Sequence, residues 1–116
     1  MKNRIELKAV LGGSGRSRSE QVALFALLNL GIVESLTNGL ISAADTLRVF
    51  FHAENCLFVR KELRVKVADE IMSHGVQLPD LFDALPADQA QREFLRELAK
   101  IRDLCLRLLG QKRTAA

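Results

Sequence analysis

Tryptophan and tyrosine are both missing from this chain, and its six aromatic residues are all phenylalanine. The side chains that most often anchor interfaces and stack on nucleobases are therefore absent. Cysteine is nearly absent as well: Cys56 and Cys105 lie in apolar contexts, form no CxxC and follow no secretory signal, which points to free buried thiols and away from a disulfide framework. Charges interrupt the N-terminus through Lys8, so it lacks the layout of a signal peptide. No apolar run reaches bilayer length. Val22 to Leu36 is the longest, and Asn29, Gly31 and Glu34 interrupt it, so no membrane span is expected.

What is present describes one ordinary globular domain. The 116 residues are 48% hydrophobic and 27% charged, enough for a single core. The net charge of +3 is unevenly placed. Residues 1–18 hold Lys2, Arg4, Lys8, Arg16 and Arg18 against Glu6 alone, a sum of +4, so the remaining residues sum to −1. A nucleic-acid domain usually carries its excess on a folded face. Here the excess suggests a flexible basic N-terminal arm over 1–18 and a nearly neutral helical domain over 19–116.

Ile5 to Val10 alternate apolar and charged residues at the period of a strand, although no second segment offers to pair with it. The segment reads as irregular or as an edge strand between subunits. Gly12-Gly13-Ser14-Gly15 has linker composition and lacks the lysine and spacing of a phosphate loop. A helix begins at Ser17 or Ser19, because Ser17 stands in capping-box spacing to Glu20. It is apolar nearly all round, which marks a central helix or one covered by another subunit, and it ends at Asn38-Gly39 with Leu40 folding back. Ser42 and Asp45 open a second helix over about 43–55. A third runs from Arg60 to His74 with Gly75 as its cap, and Pro79 and Pro86 bracket a short one over 80–85. The last, about 87–109, repeats Phe94, Leu98, Ile101, Cys105 and Leu108 at alternating spacings of four and three. Its stripe is wide enough for more than one partner helix.

The run Leu30-Gly31-Ile32-Val33-Glu34-Ser35-Leu36-Thr37-Asn38-Gly39-Leu40-Ile41-Ser42, followed by Phe50-Phe51, combines a leucine-rich helix, an Asn-Gly turn and an Ile-Ser helix start. Over about residues 22–52 the chain resembles a family of small uncharacterised bacterial all-helical proteins. The resemblance implies a helical fold and brings no catalytic residues with it.

Few residues offer chemistry. His52 and Cys56 lie one helical turn apart and, with His74 and Cys105, complete a Cys2His2 count, but the second pair is too widely spaced for a structural zinc. No metal and no cofactor are expected, and His52 and Cys56 are the ligands to test first. Glu70 and His74 suit a helix C-terminus as well as they suit acid–base work, and Asp80 and Asp83 suit a helix start. Arg60, Lys61 and Arg64 share a helical face and, with Arg16 and Arg18, form the candidate phosphate contacts. Leu24, Leu27 and Leu30 form the candidate interface.

The expected fold is all-α, a compact bundle of about four main helices plus one short helix. The expected function is that of a small bacterial, cytoplasmic protein that binds another protein, self-associates as a homodimer and catalyses nothing. The alternative is a nucleic-acid-binding regulator using the arm and the Arg60, Lys61, Arg64 face, and a small-molecule or metal-dependent enzyme ranks third.

Overall fold

The computed structural model describes residues 4–12 and 15–110. It is all-α, with six helices and no strand among the described residues: α1 (Leu7–Leu11), α2 (Arg18–Thr37), α3 (Ala43–Val49), α4 (Ala53–Phe58), α5 (Lys66–Ala84) and α6 (Ala87–Gly110). A π-helical turn, Val59–Leu63, follows α4 directly.

α6 is the organising element. It packs along both α5 and α2, which scarcely touch each other. Its inward residues Phe94, Leu98, Ile101, Cys105 and Leu108 are all buried, as their spacing requires. Leu85 and Pro86 alone separate α5 from α6, so those two helices form a tight antiparallel hairpin. Of the two alternatives for the all-apolar helix, covering on all sides within the chain does not hold: α2 leaves Leu27 and Gly31 exposed, and covering by another subunit is the alternative that stays open.

The ends of α2 follow the sequence closely. Ser17 Oγ accepts from the Glu20 amide at 3.1 Å, and Glu20 Oε1 accepts from the Ser17 amide at 2.8 Å, completing a capping box. At the other end Gly39 adopts φ +71°, and its amide and that of Leu40 close onto the carbonyls of Leu36 and Ser35. Leu40 itself does not fold back; it is 79% exposed.

Four expectations need correcting. Residues 7–11 are helical, where alternation suggested a strand or an irregular arm, because Leu7 and Leu11 lie four apart and both are fully buried. That segment belongs to the body, so a boundary at residue 18 does not describe the packing. Asn55 fastens it: the side chain accepts from the Leu7 amide at 2.9 Å and donates to the carbonyls of Ile5 and Phe50 at 2.9 and 2.7 Å. The expected helix over 43–55 is broken at 50–52, where the amides of Phe50 and Phe51 both turn onto the Thr46 carbonyl and both rings enter the core. The expected helix from Arg60 starts only at Lys66. Before it, the π-helical turn buries Val59 and Leu63 together and ends with Arg64 in the left-handed region at φ 56°. Finally, α5 runs straight through Gly75 and Pro79 to Ala84. Gly75 caps nothing: a Cβ there would lie 2.3 Å from the Phe51 ring, so glycine is what allows that ring to lie flat on α5.

Candidate interaction surfaces and polar sites

Gln21 to Val33 contains no charged residue. Of this stretch and its flanks, Phe25, Ala26, Asn29, Val33 and Leu36 are buried, and Val22, Leu24, Leu28, Leu30 and Ile32 are half-buried against the core. The opposite side presents Leu27, 55% exposed, with half-buried Leu24 and Leu28 on one flank, half-buried Leu30 on the other, and exposed Gly31 one turn further along. Nothing within 4 Å would meet a Cβ at Gly31. No intramolecular contact therefore requires a glycine at a mid-helix position where it costs roughly 0.5–1 kcal/mol relative to alanine. With Arg18 to Gln21 and Thr37 added to the apolar run, α2 has 20 residues and is, among the described residues, the one helix long and apolar enough to cross a membrane by length and composition. The shorter run read from the sequence had stopped at the first polar residues.

A second surface is concave. The end of α2, the start of α3, the last turns of α5 and the first turns of α6 enclose an open cavity of about 580 Å³. Leu36, Ile41, Ala43, Pro79, Phe82 and Phe94 supply its apolar walls. Phe82 is 45% exposed and meets Phe94 edge-on at 5.2 Å between centroids. Thr37 and Ser42 spend their hydroxyls locally, on the Val33 carbonyl and the Asp45 amide. Asp83 and Gln91 also line the cavity.

The basic residues divide. Arg18 donates to the Arg64 carbonyl at 3.0 Å, which brings the start of α2 to the π-helical turn. Arg60, Arg64 and Lys66 border a hollow of about 260 Å³ beside the start of α5, with the Asp69 carboxylate 3.6 Å from Arg60. Lys61 faces a different hollow, among Lys8, Glu6, Glu54 and Glu62. The shared face expected of Arg60, Lys61 and Arg64 is lost, because the π-helical turn replaces the straight helix that would have aligned them. Arg16 is exposed just ahead of the Ser17 cap.

The remaining candidates are taken up by structure. His52 caps α4: its Nδ1 accepts from the Asn55 amide and faces the Arg4 guanidinium at 3.3 Å, which leaves the proton on Nε2 to donate to the Ile5 carbonyl. Cys56 is half-buried with its Sγ 4.0 Å from the Phe51 carbonyl, and burial raises its thiol pKa. Cys105 lies in the core, where burial pushes its thiol up to about 12. His74 pairs across the hairpin with Glu97 at 2.7 Å, and not with Glu70. Among the described residues, no three His, Cys, Asp or Glu side chains are grouped to hold a metal ion. Asp80 and Asp83 lie in the last turns of α5, not at a helix start. Sequence reasoning missed Asn55, whose signal was a buried-type polar residue between Phe51 and Phe58, and it missed the cavity, which only the meeting of four helix ends creates. The chain matches no protein-family model, no curated protein and no solved structure.

Proposed function

We propose that this chain works by association through the outer face of α2, with a second copy of itself as the occupant, and that it catalyses nothing. The observation that carries the reading is the juxtaposition of exposed Leu27 with open Gly31, one turn apart on an uncharged stretch between Glu20 and Glu34. A twofold contact is self-complementary, so Leu27 of each copy can fill the space above Gly31 of the other. A crossing near −50° then lets the helix ends diverge, separating Glu20 and Glu34 from their counterparts. A lipid surface fits less well, since it gains nothing from a glycine and prefers a Lys/Arg-lined flank, whereas this helix carries Arg18, Glu20 and Glu34. A reducing, cytoplasmic setting suits the two unpaired thiols.

Sedimentation of the full chain at micromolar concentration tests the reading. A dimer that Leu27→Lys converts to a folded 12.9 kDa monomer supports it. A wild-type monomer at all accessible concentrations overturns it, as does vesicle binding that Leu27→Lys abolishes while no dimer forms.

A second reading, polyanion binding, is favoured by one observation: Arg18 reaches Arg64, so Arg18, Arg60, Arg64 and Lys66 lie at one corner. Its mark is affinity that falls steeply with salt, whereas apolar association barely changes or tightens.

A further inference from the structure

The cavity bordered by the end of α2 rests on observations independent of the α2 outer face. Its volume of about 580 Å³ lies within the range of small-molecule sites, and its walls are apolar with few polar groups, as such sites usually are. The polar groups are the informative part. Thr37 and Ser42 are already bonded, whereas neither the Asp83 carboxylate nor the Gln91 amide has a hydrogen bond or ion pair among the described residues, and they come from different helices, α5 and α6. Among the described residues, no Lys, Arg or His lines the cavity. The C-termini of α2 and α5 both border it, and each places partial negative charge there. Two N-termini lie beside it as well: that of α3 is capped by Ser42 and carries Asp45 in its first turn, and that of α6 carries Asp88 in its first turn. Phe82, 45% exposed, adds an aromatic surface of the kind that attracts cations.

We infer that this cavity binds a small amphiphilic cation, an amine or guanidinium carried on an apolar or aromatic body. The body lies between Ile41, Pro79, Phe82 and Phe94, the charged nitrogen meets Asp83, and Gln91 accepts a further hydrogen from it.

Three probes of matched shape separate charge from shape: phenylpropylamine, phenylpropanol and phenylpropionate, titrated into the full-length protein with amide chemical shifts and Kd as readouts. The expected result is shifts confined to residues 36–44, 79–83 and 91–94, with the amine binding about threefold or more tightly than the carboxylate, the scale of one solvent-facing ion pair. Asp83→Asn, an exposed and unpaired position that folding does not need, brings the amine to the affinity of the alcohol. Ala44→Phe narrows the cavity from an exposed position on its rim and weakens all three probes alike. Leu27→Lys leaves binding unchanged, so failure of the association reading and failure of this one are distinguishable. Equal binding of the three probes overturns the inference. So do shifts centred on the outer face of α2, indifference to Asp83→Asn, and no binding at millimolar probe.

Discussion

α2 and α6 are both long, pack along each other and bury a phenylalanine and several aliphatic residues in one core, yet their outer faces differ in charge. α6 turns Arg92, Arg96, Lys100, Arg102, Asp103 and Arg107 to solvent, with exposed Leu95 and Leu106 set among these charges, so the fold accounts for most of its pattern. α2 turns out Leu27 and Gly31 between leucines half-buried against the core, so intramolecular packing accounts for its pattern except at these two uncharged positions. The surplus apolar face is where an explanation outside the single chain is needed. It also explains why a helix apolar all round was a poor guide to position. The middle place goes to the helix whose wide apolar stripe can serve two neighbours while its other side meets water.

The comparison is broken most forcefully on α6. Ile101 is fully buried, so Ile101→Ala should cost about 3 kcal/mol of unfolding free energy in urea titration, through lost transfer energy plus a residual cavity. Leu27→Ala on the outer face of α2 should stay within about 0.5 kcal/mol under monomeric conditions. Equal costs would mean that the two helices are covered alike.

What could be read in advance follows the reach of the physics involved. The caps at Ser17, Gly39 and Ser42, and the stripe of α6, depend on residues within one or two turns of each other and were legible. The breaks were not. Gly75 and Pro79 look like stop signals, but the flat approach of Phe51, 24 positions earlier in the chain, makes Gly75 a packing residue. Leu7 and Leu11 join the core through Asn55, some 48 positions away in the pairing with Leu7, and no local pattern announces that bond. Of the candidate interface residues Leu24, Leu27 and Leu30, Leu27 is exposed and the other two are half-buried against the core, a division no pattern announces, and the cavity arises only when four helix ends meet.

A smaller effect lies inside α2. Asn29 is fully buried, its Nδ2 donates to the Phe25 carbonyl at 3.0 Å, and its Oδ1 has no hydrogen-bond partner. The Phe25 carbonyl already belongs to the helical ladder, so the donation adds little, while the bare oxygen carries its desolvation cost. Asn29→Leu, which keeps the branching and heavy-atom count of the side chain while removing its polar atoms, should therefore stabilise the chain by about 1–2 kcal/mol in the same titration. A loss instead would mean that a buried water or an alternative amide orientation satisfies Oδ1.

Gly31 divides the comparison more finely, because substitution there should act with opposite signs on folding and on association. In the monomer, Gly31→Ala meets open space and should raise stability by about 0.5–1 kcal/mol through helix propensity and reduced freedom of the unfolded chain. In a dimer whose backbones cross at that glycine, the added methyl occupies the space reserved for the partner's leucine. The midpoint of thermal unfolding should rise at low concentration while the dissociation constant in sedimentation rises as well. A rise in midpoint with unchanged association would move the contact away from Gly31.

The smallest expected effect belongs to the flank where α6 meets α5. Burial acts to raise the pKa of Glu97, but hydrogen bonds from Lys100 at 3.0 Å and His74 at 2.7 Å, together with their charges, outweigh it and hold the carboxyl below its ordinary 4.5. A carboxyl with a lowered folded-state pKa contributes stability that is fully present above the unfolded value and is lost as pH falls through the folded one. Glu97 should therefore add nothing to the pH dependence between 7 and about 5, and should steepen the loss of stability from about 4.5 downward. Glu97→Gln should lower stability near neutral pH by about 0.5–1 kcal/mol, since Lys100 is exposed and its share of the pairing is screened. It should also flatten the acid limb, so that the two curves converge once the pH has fallen below the lowered folded-state value. If they stay parallel down to that pH, the carboxylate's charge is not what joins α5 to α6, and the hairpin is held by its apolar stripe alone.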